Sequence, residues 1–282
     1  MGKSFLATSL SDLETLDRLT YFLVFISAAF VINNGIIEIG LFSLCFVTLL
    51  AAYFSNRHTD SDVAQNSQTI IKNSLLYFIQ LIGSISFLYL TEDIAATALF
   101  VVVLCCNKLR LFIIPQNAIF VIALLVLTVV EFASMAILGA FSQLQAWEGS
   151  HGTFYIVAIF GITTAFFYFA AQILKNGTVL ENAGWDIVRI VKNKKQEEIS
   201  RPGSISRVYT LAMFFGAMLP ISLAFFSILP KAFLIYTIPL FLGLKISEDI
   251  AQDPNWGAMS VKTLKISSLI GLFNILIGVV AK

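Results

Sequence analysis

The chain has 282 residues, 58% of them hydrophobic and only 12% charged, against about 25% charged in an ordinary soluble domain. With a mean hydropathy of +0.86, that composition excludes a soluble globular enzyme. The net charge of +1 marks no partner such as nucleic acid.

The apolar runs are apolar on every face and lack the two-residue alternation of an outer-membrane barrel. The expected class is therefore an all-α polytopic membrane protein. Residues 1–18 are polar and read as a cytoplasmic N-terminal segment, in which Ser11 and Glu14 have the spacing of a capping box. No basic stretch followed by an apolar core and cleavage site occurs there, so it does not read as a signal peptide. Apolar runs follow at about 19–34, 37–55, 73–90, 94–106, 116–142, 153–174, 207–229, 232–247 and 261–280. One helix for each gives nine transmembrane helices around a central apolar cavity, in a single domain over 19–282. The fourth run is too short to cross unless residues 107–112 extend it. The longest polar connections are 56–72 and 175–206. Cys45, Cys105 and Cys106 all lie in apolar runs and read as small lipid- or core-facing residues.

Charge sidedness follows from this count. Sixteen of the eighteen Lys and Arg fall on the N-terminal side of the nine-helix ladder, and only Lys231 and Lys282 fall on the other. By the positive-inside rule the N-terminus and the loops 56–72 and 175–206 are cytoplasmic, and the C-terminus lies on the far side. Glu131 stands inside the fifth run, where an ionisable group is costly. It is expected either to be protonated and hydrogen-bonded within the bundle or to lie near the outer end.

Two polar stretches terminate apolar runs on the cytoplasmic side. The first, AAYFSNRHTDSDVAQN, places Asn56 and Asp60 four residues apart with Asp62 close behind. The second, LENAGWDIVRIVKN, carries Glu181, Asn182 and Asp186. Both read N-x-x-x-D, and residues four apart share one face of a helix. Such oxygen donors suit a hard divalent cation, Mg²⁺. Lys108 and Arg110 leave the fourth run on the same side, so a divalent cation and basic side chains together could hold a diphosphate. The plainer reading of each stretch is a solvated loop or an interfacial helix start.

This layout resembles the UbiA superfamily of intramembrane prenyltransferases. That family has nine helices, one Asp-rich motif after helix two and a second after helix six, with a basic residue at the cytoplasmic end of helix four. Its first motif is typically N-D-x-x-D-x-x-x-D; Asn56 and Asp60 are in register, with Arg57 at the second position and Ala64 at the last. Its second is often D-x-x-x-D, with Asn182 in place of the first Asp and Asp186 in place of the second. The resemblance implies transfer of a prenyl group from a prenyl diphosphate to a small acceptor. It implies Asp60 and Asp186 as catalytic acids and Mg²⁺ on Asn56, Asp60, Asp62, Glu181, Asn182 and Asp186. Asn56, Arg57, Lys108 and Arg110 would contact the diphosphate. A terpene cyclase of the same fold and a membrane transporter remain as alternatives.

Overall fold

In the computed structural model the described residues are 16, 19–32, 37–57, 67–91, 94–115, 117–143, 151–186, 188–192, 198–252 and 255–280. Their helices are α1 (Leu19–Ile32), α2 (Ile39–Arg57), α3 (Ser67–Thr91), α4 (Ile94–Phe112), α5 (Ala118–Phe141), α6 (His151–Lys175) and the short α7 (Gly177–Asn182). After these come α8 (Ser204–Phe225), a 3-10 segment (Lys231–Tyr236), α9 (Thr237–Gln252) and α10 (Trp256–Val280). Every apolar run of the sequence lies in or across one of these elements. The fourth run continues through Asn107 to Phe112 as helix, as a crossing would require.

Five helices are long and apolar enough to cross a bilayer, in the segments Ser74–Thr91, Ala118–Phe141, Ile156–Lys175, Ser204–Phe225 and Trp256–Ile277. The expected nine is thus met in part. The apolar segments Leu19–Ile32 and Ile39–Phe54 are shorter. The 16 residues of α9 rise only about 24 Å, against a hydrocarbon core of about 30 Å.

Inside the expected polar connection 175–206, α7 is followed by a two-stranded antiparallel hairpin, β1 (Val188–Lys192) with β2 (Glu198–Pro202). Its register sets Val188 opposite Pro202, Ile190 opposite Ser200 and Lys192 opposite Glu198. The β-branched Val188, Ile190, Val191 and Ile199 favour an extended ribbon over a further helix turn. The hairpin is a tether rather than a span.

The interior has two linked cores. One joins α1, α2, α4 and α5 through Tyr21, Phe25, Leu49, Phe100, Phe132 and Met135. The other joins α6, α8, α9 and α10 through Phe160, Phe167, Tyr209, Met213, Ile250 and Ile270. In α6 the whole run Phe167–Ala171 is buried, the pattern of a helix surrounded by others; it packs against α5, α8 and α10. α3 lies at the rim, with Leu75, Phe78, Leu81, Ile82 and Ile85 exposed to the surroundings of the bundle.

α1 is a central strut. Its Phe25 packs on Phe42 and Phe46 of α2, its Tyr21 ring packs edge-on to Phe132 of α5, and Thr20 shares a hydrogen bond with Ser268 of α10 at 3.0 Å. Its approach to α5 is close enough that a Cβ on Gly139 would collide with the Phe25 carbonyl oxygen. A second close approach joins α5 to α6, where a Cβ on Gly161 would lie 2.6 Å from the Phe132 carbonyl oxygen. Small residues let helix backbones approach without a hydrophobic driving force, the usual device in a membrane.

Candidate functional site

The buried charge of the interior is met at the C-terminal half of α4 and the middle of α5. Asn107 and Arg110 are three residues apart and share one helix face. Lys108, two residues from Arg110, faces elsewhere: its Nζ donates to the Tyr77 hydroxyl of α3 at 2.7 Å and lies 4.1 Å from that ring's centroid. Lys108 and Arg110 look alike in the sequence; the fold sends Lys108 to the rim and Arg110 into the bundle.

Arg110 meets Glu131 of α5, with a guanidinium nitrogen 3.3 Å from the carboxylate; the two side chains are 12% and 0% exposed. Glu131 is the one charged side chain that is fully buried among the described residues. It stands near the middle of α5, and no outer-end placement rescues it. Its counter-charge is the Arg110 guanidinium, an ion pair that the sequence did not anticipate. The two residues are 21 positions apart, across a helix–loop–helix connection, so no local spacing advertises the pair.

Aromatic rings surround this pair. The Arg110 guanidinium carbon lies 5.0 Å from the Tyr168 ring centroid (α6) and 6.0 Å from that of Tyr21 (α1). A planar cation over electron-rich faces is stabilised, more so when desolvated. Tyr21 lies against both Glu131 and Arg110, and its ring touches Tyr53 of α2 at 5.5 Å. Phe132 packs on Tyr168 at 4.8 Å between centroids. Five helices, α1, α2, α4, α5 and α6, thus contribute to one buried knot. Asn107, 3% exposed on the Arg110 face of α4, has no hydrogen-bond partner for its Nδ2 among the described residues. A buried amide donor without a partner costs free energy that a ligand acceptor would recover.

The second polar stretch is placed as follows. Glu181 ends the short α7 half-buried, and its Oε2 accepts a hydrogen bond from Trp256 Nε1 at 3.0 Å. Trp256, at the start of α10, lies so close to Gly177 that a side chain there would meet the indole. The contact therefore clamps α7 onto α10. Asn182 and Asp186 are exposed. The Asp186 main chain is pinned to the start of α8: its N–H donates to Ser204 Oγ at 3.0 Å, and its carbonyl oxygen accepts from Ile205 N–H. Of the first stretch, Asn56 and Arg57 form the last turn of α2, while Asp60 and Asp62 lie outside the described residues. Among the described residues no three His, Cys, Asp or Glu side chains come together as a metal site. The side-chain oxygens of Glu181, Asn182 and Asp186 are of the kind that Mg²⁺ binds, but Glu181 Oε2 is taken by Trp256.

No family model matches the chain, and neither a curated protein nor a solved structure matches it significantly.

Proposed function

We propose that the protein is an intramembrane prenyltransferase of the UbiA type. In this reading nine helices cross the bilayer around an apolar interior, with the N-terminus cytoplasmic and the C-terminus on the far side. A prenyl diphosphate places its head group at the cytoplasmic ends of α2, α4, α6 and α8 and its tail among the helices. The observation that carries the reading is the inward-facing Arg110 in the last turn of α4. It sits among aromatic rings on the strongly basic side of the chain, where an anionic head group joined to an apolar tail would need it.

The residues divide the work accordingly. Asn56, Asp60, Asp62, Glu181, Asn182 and Asp186 would hold Mg²⁺, which when bound neutralises the diphosphate and eases the departure of pyrophosphate. Arg57 and Arg110 would bind the phosphate oxygens, Arg110 by its planar fork, while Lys108, expected from the sequence to join them, is held on Tyr77 at the rim. The carbon–oxygen bond breaks with both electrons leaving on pyrophosphate. The acceptor supplies the electron pair for the new bond and releases a proton. Tyr21 and Tyr168 would face the developing allylic cation, whose charge an aromatic face stabilises.

The test is Mg²⁺-dependent pyrophosphate release from farnesyl and geranylgeranyl diphosphates by purified protein, with and without a panel of acceptors. D60A and D186A should each abolish release while the helical content is kept; full activity in both would refute the assignment of these acids. Release without an acceptor, with a cyclic hydrocarbon in the extract, would identify a cyclase that uses the same first step. A second reading, a carrier, is favoured by one observation: an ion pair about halfway along a candidate span, where carriers place binding residues. Counterflow of labelled substrate in proteoliposomes without pyrophosphate release would select it.

A further inference from the structure

We propose that the hairpin β1–β2 docks on a surface of anionic phospholipid, with Arg189 and Arg201 as its paired head-group contacts. Such docking concerns the tether between α7 and α8 and is independent of the transferase reading.

A two-stranded ribbon standing alone in water is marginally stable at best and needs a surface to pack on. The fold supplies part of one. β2 lies against the start of α8, and the Asp186 main chain is pinned to Ser204 and Ile205 across the base of the hairpin. Ser204 is also the first residue of a candidate span, Ser204–Phe225. The ribbon therefore leaves the bundle at the membrane boundary, with Arg201 three positions before the span begins. At about 3.3 Å per residue, each five-residue strand extends about 16 Å. One head-group layer is only about 5–8 Å deep. Upright, the ribbon would carry Val188, Ile190, Val191 and Ile199 through the head groups into water. Lying flat, it keeps them at the boundary.

Charge names the surface. Residues 188–202 hold Arg189, Lys192, Lys194, Lys195 and Arg201 against Glu197 and Glu198. Lys194, Lys195 and Glu197 lie outside the described residues and enter by charge alone. Five of the chain's 18 basic residues thus fall in one short stretch beside a span, a density that draws a juxtamembrane segment to anionic lipid.

The register sharpens this. Lys192 stands opposite Glu198, a cross-strand pair of opposite sign, whereas Arg189 stands opposite Arg201. Directly opposed residues of an antiparallel pair are near neighbours on one face of the ribbon, and like charges there destabilise it. A lipid phosphate between the two arginines turns that repulsion into attraction, and a guanidinium grips a phosphate through two N–H groups at once. The next pair on the same face is Val191 with Ile199, so backbone alternation groups two cations with two apolar residues. Such a face suits the boundary between head groups and acyl chains. An added strand from a second copy would pair with the ribbon's edges but would leave the two arginines opposed.

The test is hydrogen exchange of the 188–202 segment in purified full-length protein, held in nanodiscs of phosphatidylcholine alone or of an equal mixture with phosphatidylserine. In native protein, exchange should be at least about thirtyfold slower in the anionic discs at low salt, taking about fivefold for each of the two arginines. The difference should collapse in about 1 M salt, where charges are screened beyond about 3 Å. R189Q/R201Q should reduce that ratio by about thirtyfold. In neutral discs it should exchange more slowly than native protein, because the opposed charges are gone. Equal native exchange in the two lipids would overturn the proposal, as would an unchanged ratio in folded R189Q/R201Q or no slowing of that variant in neutral discs. Equal slowing by inorganic phosphate in neutral discs, at matched ionic strength, would assign the arginines to a soluble anion and also overturn it. So would slowing that follows two copies per disc whatever the lipid, which marks a contact between copies. If R189Q/R201Q does not fold, the lipid and salt dependence of native protein decides alone.

Discussion

At the scale of the residue, the Arg110–Glu131 pair departs furthest from what composition suggests. A buried ion pair is weak evidence of stability, because desolvating both charges offsets their attraction. Removing one partner is another matter, since the survivor remains buried and uncompensated. R110M should therefore lower stability by about 3–5 kcal/mol, and R110M/E131L should recover most of that loss. Thermal unfolding in detergent, followed by tryptophan fluorescence, measures both. If the double variant is as unstable as the single one, Arg110 stabilises the fold through its packing on Tyr21 and Tyr168 instead. Sequence alone showed that Glu131 needed an explanation, and that Arg110 was basic in a place where basicity has a use. It did not join the two. Their contact depends on how α4 and α5 slide past each other after the connection at 113–117, and residue spacing carries no information on that offset.

At the scale of the element, the helices are held by close backbone approach and by a polar seam along α10. In that seam Ser260 donates to the Ala171 carbonyl oxygen of α6 at 3.1 Å, and Thr263 meets the Tyr209 hydroxyl of α8 at 3.2 Å. Ser268 meets Thr20 of α1, and Asn274 accepts from Tyr236 of the 3-10 segment. One helix thus addresses four neighbours with hydrogen bonds that are each worth little. Small-residue contacts fix position more sharply. G139A would drive its new methyl into the Phe25 carbonyl oxygen, part α1 from α5 and cost about 1–3 kcal/mol. An unchanged unfolding temperature would show that α1 is free to shift. The seam was partly legible, since Ser260, Thr263, Ser267, Ser268 and Asn274 interrupt an apolar run at near-helical spacing. The central place of α1 was not. Its run resembles any other, and only the contacts of Tyr21, Phe25 and Thr20 with three different helices reveal it.

At the scale of the whole molecule, the apolar runs locate the helices well because a bilayer core demands unbroken backbone hydrogen bonding. They locate the crossings less well, and α9 is the decisive case. Alone it is too short for the core, yet it does not stand alone. Tyr236, just before it, reaches Asn274 near the far end of α10, and Asp249 near its own end pairs with Lys262 near the start of α10 at 3.2 Å. The two helices therefore run antiparallel along most of their length. The six-residue 3-10 segment adds about 12 Å of rise to the roughly 24 Å of α9, enough together to exceed a core of about 30 Å. If the combined segment crosses, Asn255 lies on the same side of the membrane as Asn182, and Lys231 lies opposite both. If only the five long helices cross, Asn255 and Lys231 share a side. All three positions are exposed. Single cysteines placed there, in a background lacking Cys45, Cys105 and Cys106, should label with a membrane-impermeant maleimide in a pattern that pairs 255 with 182. Pairing of 255 with 231 instead would refute the nine-helix topology.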